Sequence, residues 1–119
     1  MAQVQNLSKV VQYLKAKEKG ARIKYRVTVG YTQEYAIYVH ENLEANFKVG
    51  QAKYLEQPAR ELQGQMAQMV KDYVAGGMKL GMALYMVGLF LQRESQKLCP
   101  VDTGALRASA FTRLEEKET

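Results

Sequence analysis

From Pro58 to Leu98 apolar side chains recur at helical spacing with one interruption, so the rest of the chain must help to cover a long, greasy helical surface. Pro58 suits a first helical turn, where its missing N–H is not needed. Ala59, Leu62, Met66, Met69, Val70, Tyr73 and Val74 then keep one stripe, which predicts a helix to about Ala75. Gly76-Gly77 marks a break, or a kink within one longer helix. A second helix is predicted over 78–98, with Leu80, Leu84, Val87, Leu91 and Leu98 on one side and Met78, Met82, Tyr85, Met86 and Leu89 widening the apolar surface. A helix apolar nearly all round is buried on more than one side, and in so short a chain the second side is expected to be another subunit. Gly77, Gly81 and Gly88 allow close backbone approach, at roughly 1 kcal/mol of helix stability each relative to alanine.

Ahead of this run, Leu7, Val10, Val11 and Leu14 fall at i, i+3, i+4 and i+7 with lysines around them and Gly20 behind, which reads as a short amphipathic helix over 7–19. Ile23, Tyr25, Val27 and Val29 alternate with Lys24, Arg26 and Thr28, the period of a half-buried strand that Gly30 is expected to end. Residues 35–42 fit strand and helix equally, and 44–53 read as a loop. Pro100 stops the second long helix, and Asp102 or Thr103 can cap a short turn through Gly104 to Ala108. A last strand, 109–114, precedes an acidic tail, 115–119, expected to be frayed or solvated. The fold class is α+β, a small antiparallel sheet packed against long helices. The 119 residues, 47% of them hydrophobic, suffice for one domain: an added helix in 1–20, a core in 21–114 and the tail.

The formal net charge of +5 is concentrated early: residues 1–60 carry ten Lys/Arg against five acids, and 61–119 carry seven of each. Lys15, Lys17, Arg22, Lys24 and Arg26 are candidates for weak, sequence-independent contact with DNA phosphates if they share a face; the alternative is a solvated face or one side of a charged interface. No apolar stretch reaches the roughly 20 residues that span a bilayer, and no secretory signal pattern opens the chain, so assembly in a cytoplasm is expected. One cysteine, Cys99, fits a reducing compartment.

Catalytic and cofactor signatures are missing: the sequence has no Walker loop, no GxGxxG after a strand, no HExxH and no paired CxxC. Cys99 with His40, oriented by Asp102 or Glu41, is the last nucleophile to consider, against the plainer reading of a small buried thiol and a satisfied histidine. Neither an enzyme nor a cofactor or metal site is expected. The six methionines read as core filling or an adaptable interface.

Three phrases resemble a known family: Cys99-Pro100-Val101-Asp102-Thr103-Gly104-Ala105-Leu106-Arg107-Ala108-Ser109, Tyr35-Ala36-Ile37-Tyr38-Val39-His40-Glu41-Asn42, and Gly50-Gln51-Ala52-Lys53-Tyr54-Leu55-Glu56-Gln57-Pro58-Ala59. Together they look like the tail-completion, or head-to-tail joining, proteins of tailed bacteriophages, also described as minor capsid or neck proteins. Members run helix, VDTGxLRxS phrase, strands, YAxYVHE phrase, LExP phrase and closing helix, whereas here the VDTG phrase comes last, as in a circular permutation. The resemblance implies that the first strand (22–29) and last strand (109–114) still pair antiparallel, with the two long helices joined through Gly76-Gly77. It also implies a structural virion protein, assembled in the host cytoplasm as a ring that joins head to tail or terminates the tail around the DNA channel. Six-fold symmetry is the first expectation and twelve-fold the second, with portal or adaptor and tail-tube proteins as partners; a minor capsid or decoration subunit and a stand-alone nucleic-acid-binding protein are the alternatives. On the residues, Asp102, Thr103, Gly104 and Leu106 would build the turn, and Arg107 would be free to bind a carboxylate, Glu41 or Glu56, in the same or an adjacent subunit.

Overall fold

Strand-forming residues from both ends of the chain meet in one antiparallel sheet, with the long helical run laid across it. The computed structural model describes residues 10–17, 23–33, 36–41, 53–100 and 104–118. In chain order they form β1 (Val10–Lys17), β2 (Ile23–Tyr31), α1 (Ala36–Glu41), α2 (Glu56–Glu61), α3 (Gln63–Ala75), α4 (Leu80–Leu98), α5 (Ala105–Ala108) and β3 (Ala110–Glu118). The sheet order is β1-β2-β3, with Leu14, Val27 and Leu114 in one register row. The expected antiparallel pairing of the strand in 22–29 with that in 109–114 is present, and the fold is α+β.

Three local expectations are corrected. The helix over 7–19 is not formed where the chain is described, since Val10–Lys17 is a strand on β2. Val10 and Leu14 share a face under both a helical and a two-residue period, so their spacing could not discriminate; the adjacent β-branched pair Val10-Val11 favours the strand, and the open edge of β2 supplies the partner. Gly30 does not end β2, which continues to a buried Tyr31. A Cβ on Gly30 would lie 2.6 Å from the Val10 carbonyl oxygen and 2.8 Å from Val11 Cγ1, so the glycine lets neighbouring strand atoms close over it. The acidic tail is not frayed through Glu118: Glu115 to Glu118 pair with Arg26 to Ile23, and Arg26 binds the Glu115 carboxylate at 3.1 Å.

The ambiguous segment 35–42 contains the helix α1. The first long helix divides at Leu62 into α2 and α3, yet Leu62 N–H still bonds to Pro58 O and Met66 N–H to Leu62 O, so the stripe passes through the break. Gly76-Gly77 does separate α3 from α4, with Gly77 at φ +103, a conformation that suits only a residue without a Cβ. α4 starts at Leu80 and ends before Pro100, with Cys99 already extended, as a residue before proline prefers.

α4 buries Leu84, Val87 and Leu91 against the inward residues Val27, Val29 and Tyr31 of β2. Full burial of each such side chain stabilises by roughly 1.5–3 kcal/mol. Gly81 and Gly88 set the distance: a Cβ on Gly88 would lie 2.5 Å from Val27 Cγ1, and one on Gly81 2.8 Å from Tyr25 Cε1. The Thr112 hydroxyl donates to Gln92 Oε1 at 2.6 Å, tying β3 to the same helix.

Candidate functional site

Two places gather the residues singled out in the sequence: a corner around Tyr31, and the outer face of the sheet. At the corner the three motif phrases converge. Tyr31, at the end of β2, shares a 2.7 Å hydrogen bond with Ser95 of α4 and meets the Tyr54 ring edge-on at 5.0 Å. Tyr54 in turn meets the His40 ring at 5.0 Å and donates to the Ala36 carbonyl. Across the corner, Cys99 and Arg107 lie close enough to Tyr31 to influence its ionisation.

Gly104 adopts φ +76 ahead of α5, and Leu106 is buried, so the turn is anchored on the core. Asp102 and Thr103 lie outside the described residues, as does Arg22. Arg107 does not meet Glu41 or Glu56 within the chain; it donates to the Cys99 carbonyl at 3.3 Å, and its buried Nε has no partner among the described residues. Glu41 instead pairs with Lys53 and His40, and Glu56 with Lys53 and Arg60, each at 3.4 Å. The Lys53 ammonium, then His40, holds the Glu41 carboxyl below its ordinary value.

Cys99 and His40 make no contact with each other that would turn them into a catalytic pair. The Cys99 thiol donates to Pro100 O, and burial pushes it up to about 11, away from the thiolate that a nucleophile needs. His40 Nε2 accepts the Glu56 N–H at 3.2 Å, which assigns its proton to Nδ1, facing Glu41. Burial raises the Tyr31 phenol well above its ordinary value, against the Ser95 hydrogen bond. These groups brace a corner where four chain segments meet.

The outer face is different in kind. Residues paired directly across an antiparallel sheet point the same way. The register therefore places Lys17, Lys24 and Lys117 in one row, Lys15, Arg26 and Glu115 in the next, and Tyr13, Thr28 and Arg113 in a third. Six cations and one carboxylate give this face a net +5, equal to the formal charge of the whole chain, so everything else sums to neutrality. Lys15, Lys17, Lys24 and Arg26 are thus brought together as the sequence suggested. Lys117 escapes a linear reading because its acidic neighbours suggest a frayed end, and Arg113, though inside the strand expected over 109–114, joins this face only through its pairing with Thr28; the alternation of Phe111, Arg113, Glu115 and Lys117 was the signal available. The Arg26 guanidinium sits 5.0 Å from the Tyr13 ring centroid and that of Arg113 5.7 Å from Phe111. These four residues and Thr28 help to line a shallow cleft of about 380 Å³. The Thr28 hydroxyl there is buried and has no partner among the described residues.

On the helix layer, Met82, Met86 and Leu89 of α4 are exposed, Met82 by 50%, with Val74 of α3 also exposed. Among the described residues no helix is long and apolar enough to cross a membrane, and no group of His, Cys, Asp and Glu could hold a metal ion. Compared with known proteins, the chain matches no family profile, no curated protein and no solved structure.

Proposed function

We propose that this chain is a structural subunit of a tailed-phage particle, forming a ring at the neck or tail end that joins head and tail around the DNA channel. The observation that carries the reading beyond the sequence resemblance is the exposed row Met82, Met86 and Leu89 on α4. Its opposite side, through Gly81, Leu84, Val87, Gly88 and Leu91, is already spent on the sheet. Methionine and leucine at i, i+4 and i+7 make an adaptable apolar strip of the kind that a second copy covers. Closed symmetry makes a ring the expected outcome when such contacts are head-to-tail. By analogy the ring has six copies, with twelve as the second choice, and meets portal or adaptor protein on one side and tail-tube protein on the other.

Native mass spectrometry of the full chain tests this: a closed oligomer is expected, and replacing Met82 and Met86 by Lys should return it to monomer. A monomer in solution, together with copy numbers in purified particles typical of a shell component, overturns the ring in favour of a capsid or decoration role. The cationic sheet face favours one further reading, a stand-alone nucleic-acid-binding protein, which requires DNA affinity in a chain that stays monomeric throughout.

A further inference from the structure

We propose that the outer face of the sheet is a docking surface for the sugar-phosphate backbone of duplex DNA, bound without sequence preference by Lys15, Lys17, Lys24, Arg26, Arg113 and Lys117. The choice of the duplex as partner rests in part on the channel reading above; the chemistry rests on the face itself. A surface that holds the whole net charge of an otherwise neutral chain is complementary to a polyanion. The aromatic residues decide between paired and unpaired strands. Single-stranded nucleic acid is gripped by stacking its bases on free ring faces, but Tyr13 and Phe111 each already hold a guanidinium against the ring. The rings help to aim Arg26 and Arg113, and although Tyr13 stays 46% exposed, two rings beside six cations make charge the dominant feature of the face, which suits phosphates whose bases are paired and out of reach.

Fluorescence anisotropy of a labelled mixed-sequence duplex, titrated with the full chain over a range of salt, tests the proposal. Steep loss of affinity with salt is expected. Replacing the exposed Lys15 and Lys24 together by Gln should reduce the slope of log affinity against log salt by about 1.8, roughly 0.9 for each phosphate that is no longer neutralised. Arg at both positions should retain the slope, as should Lys71→Gln on the exposed side of α3. Equal slopes in the wild type and the double Gln variant overturn the proposal, and so does tighter binding of a single strand of the same sequence. Native mass spectra of the same proteins keep the two readings apart: rings without salt-sensitive DNA binding sink the docking surface alone, and salt-sensitive DNA binding by a chain that stays monomeric in solution and in particles sinks the ring alone.

Discussion

At Gly88 the helix and the sheet leave no space for a methyl group, because Val27 Cγ1 and Thr112 Cγ2 both lie under 3 Å from where a Cβ would stand. Gly88→Ala should therefore cost about 1–3 kcal/mol as overpacking outweighs the gain in helix propensity. Gly64→Ala in α3, where nothing lies within 4 Å, should instead gain up to about 1 kcal/mol. Urea denaturation of the two variants beside the wild type checks both signs. The Tyr31 corner yields a pH prediction. Cys99 keeps its proton in the fold up to about 11, whereas the unfolded thiol loses it near 9.0. In that window the unfolded chain binds fewer protons than the native one, so stability is fully present below pH 9.0 and falls as pH rises toward 11. Tyr31, also raised by burial, steepens the fall at its upper end. The denaturation midpoint should drop across this range, and Cys99→Ala should show a shallower drop from a lower starting stability.

The elements show which parts of the fold a linear reading could reach. β2, α3 and α4 were legible because each has one dominant period: Tyr25, Val27 and Val29 cannot share a helical face, and Leu84, Val87 and Leu91 cannot share a strand face. β1 was not, because Val10 and Leu14 satisfy both periods and only the partner strand decides. The charged end of β3 was missed for a related reason: Glu115 looks unpartnered until Arg26 is placed opposite, and the strand beyond it is held by backbone pairing to residues 23–25 that side-chain pattern does not reveal. The basic candidates were legible as a cluster in sequence but not as a face: alternation separates outward Arg26 from Tyr25, which turns inward beneath Gly81, but Lys15 and Lys17, read as helical, join Arg26 and Lys24 only through the β1–β2 register. Arg107 shows the opposite limit, because no sequence pattern indicates that a carbonyl eight residues back, that of Cys99, is the acceptor it finds. One consequence is measurable. Deleting residues 115–119 removes the part of β3 that pairs with Ile23 to Arg26, so the thermal midpoint should fall, whereas loss of a solvated tail would leave it unchanged.

At the scale of the whole molecule, an apolar strip occupies the helix layer and a cationic field the outer side of the sheet. The two features answer to different perturbations: Met82→Lys with Met86→Lys should alter mass and leave the salt dependence of DNA binding in place, and the Lys15 and Lys24 substitutions should do the reverse. Among the described residues β1 and β3 are the rims of the sheet, with no further strand beyond either. Between the layers there is almost no cushion, for at Gly81 and Gly88 the bare backbone of α4 rests directly on side chains of the sheet. Close-packed interiors are poorly compressible and transmit strain. A push on the lysine side thus reaches the methionine side with little damping, and the two layers move as one stiff tile instead of flexing against each other.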